Sequence, residues 1–243
     1  MMYIIGMGHT LKDLSLNSLD ALKKSEEVYL ESYTSLSNFK IEELENLIGK
    51  KVQILNRKGV EEEKPFLKEN TALLIYGDPL SATTHLEILQ EAEKNNIKVE
   101  IIHAPSIMTT IAETGLQLYK FGKTASIPFW TENHKPESFF DYLEQNQSIG
   151  AHTLFLLDLD PESDKFLSIH EAISRILEIS ESRNSSISKE TKFIGCARIG
   201  MKDAVIKYGN QEELSKVDFG KAPYCLILPG KLNFIEEETI TKY

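Results

Sequence analysis

The stretch ALLIYGDPLSATTH, residues 72–85, decides how this chain folds. Ala72 to Tyr76 is an apolar run of strand length. It stops at Gly77-Asp78-Pro79, where proline has no N–H to give a sheet ladder. A helical pattern follows, from about Thr84 to Lys94. A strand, a tight turn and a helix start, in that order, mark the edge where open α/β sheets put ligands. The same residues also have a plain structural reading, because Asp-Pro initiates turns and Asp78 can cap the helix that follows.

The pattern repeats on both sides of this stretch. Met2 to Ile5 reads as a first strand ending at Gly6-Met7-Gly8. Leu16, Leu19 and Leu22 are expected on one face of a helix that ends near Lys23 and Lys24. Val28 to Leu30 and Val52 to Leu55 read as strands. Between them Ile41, Leu44 and Ile48 form a helical stripe closed by Gly49. Val99 to Ile102 is a further strand. Repeated β-α-β with short connections predicts a mostly parallel sheet with both faces covered. If so, Gly6-x-Gly8 and Gly77-Asp78 open on the same sheet edge.

The second half has more antiparallel character. Pro105 lies just inside a helix start after Ala104. Ala125 to Phe129 reads as a strand, Ser138 to Glu144 as a helix and Thr153 to Leu157 as an apolar strand. Ile169, Ile173, Ile176 and Leu177 line a helix running to about Glu181. Phe193 to Ala197, Ala204 to Tyr208 and Tyr224 to Leu228 are closing strands. The change of order places a boundary near 110–122, giving domains 1–112 and 113–243.

At 243 residues the chain can bury a proper core, as one large domain or two smaller ones. No apolar run approaches the ~18 residues of a membrane span, and the start lacks the basic segment of a secretory signal. Two cysteines cannot build a disulfide framework or a four-ligand metal site, which suits a reducing, cytoplasmic setting. The net charge is −10, and of 27 cationic residues only Arg57, Arg175, Arg183 and Arg198 are arginine. That balance argues against nucleic acid as a substrate.

Gly6-x-Gly8 invites a dinucleotide reading, but Leu11 stands where the third fingerprint glycine belongs and no ribose-binding acid is evident. The loop can still let backbone approach a ligand, since glycine has no Cβ. The six histidines show no metal spacing. Cys196 and Cys225 lie in apolar strands and read as buried, inert thiols. Glu61-Glu62-Glu63 and Glu236-Glu237-Glu238 read as solvated faces. Phe129, Trp130, Phe139 and Phe140 read as core or subunit interface.

Longer segments carry a resemblance. The first 35 residues, MMYIIGMGHTLKDLSLNSLDALKKSEEVYLESYTS, resemble the start of diphthine synthases. So do GDPLSATTH (77–85), IIHAPSIMTTIAETGLQLYKFGK (101–123), IPFWTENHKPESFFD (127–141), AHTLFLLDL (151–159), CARIG (196–200) and LILPGKL (226–232). They occur in that family's order and span almost the whole chain. The wider group is the tetrapyrrole-methylase-like superfamily. The resemblance implies two α/β domains with S-adenosylmethionine in the cleft between them, a homodimer, and no metal. It implies a substrate as well: the amino-carboxypropyl histidine of translation elongation factor 2, trimethylated on its amino group, with S-adenosylhomocysteine as coproduct.

Carried over by that resemblance, the cofactor contacts are His9, Asp78, Ser81, Ser106, Ile107, Leu157, Ile199 and Tyr224. Three depart from the family's usual residues: His9 replaces leucine, Ser81 a small apolar residue, and Tyr224 histidine. No catalytic residue is assigned; Asp78 is expected to bind. His103, flanked by apolar residues, is a candidate base, with loss of the proton to water as the alternative. Two other functions fit the same fold, a porphyrinoid-ring methylase and an inactive cofactor-binding module.

Overall fold

Met2 and Ile4 point into one apolar cluster and Tyr3 and Ile5 into another, on opposite faces of the first strand, β1 (Met2–Gly6). This two-residue alternation places β1 inside a sheet covered on both sides. The structure is a computed structural model and describes residues 1–81 and 85–243. The chain divides into two compact units, Met1–Thr110 and Ile111–Tyr243.

In the first unit β1 is followed by α1 (Leu16–Lys24), β2 (Glu27–Glu31), α2 (Ile41–Ile48) and β3 (Val52–Leu55). Then come β4 (Thr71–Ile75), α3 (Leu86–Lys94), β5 (Val99–Ile102) and the short α4 (Ile107–Thr110). The expected helix start at Thr84 lies outside the described residues. All five strands are parallel, in the order β3-β2-β4-β1-β5. Leu22 of α1 and Leu44 of α2 join the cluster of Tyr3 and Ile5, while Ile88 of α3 joins that of Met2 and Ile4. The chain thus leaves β1 toward one face and β4 toward the other. These two strands are neighbours, with Tyr3 opposite Ala72 and Gly6 opposite Ile75. A topological switch point therefore lies between them.

One expected face is corrected. Leu16 is 81% exposed, while Ser18, Ala21 and Leu22 are buried. Leu16 and Leu22 are six residues apart, and at about 100° per residue they point some 120° away from each other.

The second unit contains β6 (Ala125–Ile127), α5 (Ser138–Ser148), β7 (Thr153–Leu157), the two-residue strands β8 (Leu159–Asp160) and β9 (Lys165–Phe166), and α6 (Ile169–Arg183). It closes with β10 (Phe193–Ala197), β11 (Val205–Gly209), α7 (Gln211–Ser215), β12 (Tyr224–Leu228) and α8 (Phe234–Ile240). Its sheet has the order β11-β10-β12-β7-β6, antiparallel except where β6 meets β7. Phe139, Phe140 and Leu143 of α5 pack with Ile169, Ile173 and Ile176 of α6 over Phe155, Phe193 and Leu226. Both units are α/β, as the sequence pattern predicts. β6 stops two residues short of expectation because Pro128 follows. The next residue, Phe129, instead gives its N–H to the Asp158 carboxylate.

In the acidic run 236–238, expected as a solvated face, Glu237 and Glu238 are exposed but Glu236 turns inward. Glu236 is fully buried. Its Oε1 accepts from the Gln117 N–H at 3.0 Å and from His152 Nε2 at 3.0 Å. Its Oε2 accepts from the Asn233 N–H at 3.0 Å and pairs with the Lys120 ammonium. His152, also fully buried, accepts the Gly230 N–H on Nδ1 at 2.8 Å. One carboxylate thereby ties residues 117–120, β7's entry and α8 together. Burial pushes the Glu236 carboxyl up, but Lys120, the two backbone N–H groups and His152 outweigh it and hold its pKa down at about 2.

Candidate active site

The loops after β1 and β4 are joined directly. The Gly8 N–H donates to Gly77 O at 3.2 Å, and the Gly77 N–H donates to Gly8 O at 2.9 Å. Both glycines take left-handed conformations, with φ of +67° and +70°. At Gly8 a Cβ would also meet the Asp13 side chain at 2.3 Å. Internal packing thus gives a reason for glycine there in addition to the expected room for a ligand. Asp13 lies so close because its Oδ2 accepts the His9 N–H at 2.9 Å and the Thr10 N–H at 2.8 Å. Sequence reasoning passed over Asp13. Its signal is the Thr10-x-x-Asp13 spacing of a capping box.

Asp78 organises the other side of the crevice. It is 9% exposed. Oδ1 accepts from the Leu80 N–H at 3.0 Å and from the Ser81 hydroxyl at 3.2 Å. Oδ2 accepts from His103 Nδ1 at 2.7 Å and from the Ala104 N–H at 3.3 Å. A carboxylate has about four lone-pair sites, so all are in use. Asp78 clamps the loop after β4 to the loop after β5. Burial raises its pKa, but the Leu80 N–H, His103 and the Ala104 N–H prevail and leave it lowered. The carboxylate is ionised at neutral pH.

His9 and Ser106 are linked through a third residue. The Thr110 hydroxyl donates to Ser106 O at 2.9 Å, so its proton is committed. The His9 ring, with Nε2 2.7 Å from Thr110 Oγ1, is then the donor. Ser106 itself is 5% exposed, and its own hydroxyl takes no partner among the described residues. Ile107, half-buried, begins α4. The first unit therefore brings His9, Asp78, Ser81, Ser106 and Ile107 to one edge of its sheet. Ala82, Thr83 and Thr84 of the GDPLSATTH segment lie outside the described residues.

Leu157, Ile199 and Tyr224 gather at one edge of the second sheet. Leu157 follows Leu156, the partner of Cys225, and Tyr224 precedes Cys225. Tyr224 also pairs with Ala197, two residues before Ile199. Leu157 and Ile199 are buried, and Tyr224 is half-buried with its hydroxyl on Gly220 O. Arg198 fixes this edge. Its backbone is left-handed, and its guanidinium bonds the Asp203 carboxylate at 2.7 Å and Phe219 O at 2.9 Å.

Among the described residues no group of three or more His, Cys, Asp or Glu is placed to hold a metal ion. Among them, too, no helix is long and apolar enough to cross a membrane.

A parallel sheet with joined glycine loops at its switch point offers a ligand-binding edge, and a second, mixed sheet accompanies it. The chain belongs to the tetrapyrrole (corrin/porphyrin) methylases, whose family pattern matches residues 1–215. A diphthine synthase of Methanococcus maripaludis is 41% identical over 248 residues, covering 99% of this chain and 97% of its own. A protein of Arabidopsis thaliana named "Probable diphthine methyl ester synthase" is 36% identical over 271 residues, covering 100% and 98%. A solved diphthine synthase superposes with a TM-score of 0.89 at 34% identity, covering 100% of this chain and 96% of that one. Within the methylases the chain belongs to the diphthine synthase family and is a methyltransferase enzyme. That membership implies S-adenosylmethionine as methyl donor.

Proposed function

We infer that this protein trimethylates the amino group of the 2-(3-amino-3-carboxypropyl)histidine of translation elongation factor 2, giving diphthine in diphthamide biosynthesis. The observation that carries the reading is the switch point. Two loops joined at Gly8 and Gly77, an ionised Asp78 and a Ser106 hydroxyl with no partner among the described residues meet at the edge where such sheets bind ligands. These features fit a polar, cationic cofactor. His9, Asp78, Ser81, Ser106 and Ile107 are assigned to S-adenosylmethionine on the first unit, and Leu157, Ile199 and Tyr224 on the second. Asp78 acts by shaping the loops and by its negative charge, since its lone pairs are already engaged.

S-adenosylmethionine supplies a methyl group on a sulfonium that leaves as a neutral thioether. The residues' task is to orient an unprotonated amine and keep water away. The enzyme is proposed to work as a cytoplasmic homodimer on a protein substrate. Full-length relatives named for diphthine chemistry favour this reading over a porphyrinoid-ring methylase. The plant relative's name raises a fourth methylation, on the carboxylate.

The test is transfer of labelled methyl groups to elongation factor 2 carrying the amino-carboxypropyl histidine, with mass spectrometry of the product. Three methyl groups are expected. Binding of S-adenosylmethionine without transfer would favour an inactive module, and transfer to a porphyrinoid ring alone would favour the other methylase reading.

A further inference from the structure

We propose that His103 is the general base of this methyl transfer, accepting the substrate ammonium's proton on Nε2 while Asp78 holds Nδ1. The inference rests on the diphthine synthase reading above and deepens it.

Asp78 Oδ2 lies 2.7 Å from His103 Nδ1. An ionised carboxylate can only accept, so the proton of that bond sits on Nδ1. In the neutral ring Nε2 then carries a lone pair and is the basic atom. Exposure singles out this pair. The His103 side chain is 66% exposed above an Asp78 side chain that is 10% exposed. His85 and His152 also meet carboxylates, Glu31 at 3.1 Å and Glu236 at 3.0 Å, but these rings are 2% and 0% exposed and no substrate reaches them. His103 directly follows β5, and its neighbour Ala104 shares Asp78 with it. Its ring therefore stands on the same sheet edge as the joined glycine loops. An oriented carboxylate, a fixed tautomer and an exposed second nitrogen with no partner among the described residues are the parts of an acid–base pair.

The chemistry requires such a group. A primary amine at neutral pH is an ammonium and has no lone pair to attack with. In each cycle one ammonium N–H bond breaks and an Nε2–H bond forms. The amine's freed lone pair makes the N–C bond to the methyl carbon, and the C–S electrons stay with sulfur. The imidazolium then gives its proton to water. Three methyl groups release three protons.

His103→Asn keeps an N–H near the Nδ1 position and removes the base; His103→Ala removes both. Three readouts separate a base from a group that merely holds Asp78: ring nitrogen NMR of the wild type, calorimetric affinity for S-adenosylhomocysteine, and the pH profile of kcat/KM on elongation factor 2. The wild-type ring should show the Nδ1–H tautomer. His103→Asn should bind S-adenosylhomocysteine within about twofold of wild type, yet lose about a hundredfold or more in rate at pH 7. Its rate should climb about tenfold per pH unit toward the wild-type value in alkali, as free amine replaces the base. An Nε2–H tautomer, or a His103→Asn profile parallel to that of wild type, would overturn the assignment while leaving the function intact. A wild type that does not methylate the factor would overturn the function and, with it, this role.

Discussion

Gly8 and Gly77 exchange a pair of backbone hydrogen bonds, although they lie 69 positions apart in sequence. The two bonds hold the loops of neighbouring parallel strands at a fixed spacing. Whatever binds at this switch point meets backbone groups whose positions were set before it arrived.

The two glycines should not respond alike to substitution. A Cβ at Gly77 has ordinary room, 3.7 Å from the Ser106 Cβ, so Gly77→Ala carries only the left-handed backbone penalty of roughly 1–2 kcal/mol. Gly8→Ala carries that penalty and a collision with Asp13 at 2.3 Å. Denaturant melts should show the larger loss for Gly8→Ala. Equal losses would mean that Asp13 moves aside freely.

Removing Asp78 should disturb both binding and stability. Asp78→Ala leaves the Leu80 and Ala104 N–H groups and His103 without their acceptor. A loss of about 1 kcal/mol is expected for stranding partly buried donors of this kind. Calorimetry should show S-adenosylmethionine affinity falling by about tenfold or more, since 1.4 kcal/mol of lost preorganisation already gives that factor. Unchanged affinity would show that the two loops keep their shape without the clamp.

Glu236 makes stability depend on acid. Its pKa falls from the ordinary 4.5 in the unfolded chain to about 2 in the fold. A depressed carboxyl stabilises fully above the unfolded value, and that contribution fades as pH drops from 4.5 through about 2. Glu236→Gln should flatten this part of the stability profile. Glu236→Ala, which leaves Lys120 and His152 facing an empty acceptor position, should cost about 3–5 kcal/mol. Acid titrations of the melting temperature would check both, and an unaltered profile in Glu236→Gln would refute the assignment.

Cys196 and Cys225 sit directly opposite each other on β10 and β12, both buried. The hydrogen bond between the thiols, followed by burial, pushes the Cys196 thiol well up. Burial keeps the reagent from both, and Cys196 is also held in the unreactive thiol form, so neither should label with Ellman's reagent in the native protein. Both should label once denaturant is added, and rapid native labelling would contradict the burial.

The parts of this structure legible in the sequence are those with local causes. Pro79 cannot enter a sheet ladder, so the end of β4 could be read from the residues beside it. The alternation through Met2, Tyr3, Ile4 and Ile5 likewise spoke for a covered strand. The strand order is not written locally. It is what brings Gly8 to Gly77 and Asp78 to His103, and it depends on which helix crosses which face. Glu236 was misread for the same reason. A run of three glutamates looks solvated when Lys120 and His152 lie more than eighty residues away. Only the Asn233-x-x-Glu236 capping box gave a nearby hint that one of the three turns inward. Leu16 erred in the other direction, because a step of three residues drifts around a helix.

The strand made first is held from both sides by strands made much later. β1 lies between β4 and β5, so its earliest neighbour begins at Thr71 and its other at Val99. As the chain leaves the ribosome, β2 and β3 can meet while β1 still waits with its apolar residues uncovered. Met2, Tyr3, Ile4 and Ile5 stay open to chaperones, and to other nascent chains, until β4 and β5 have emerged. The central position that lets β1 carry the glycine loop also makes its shelter wait on strands far along the chain.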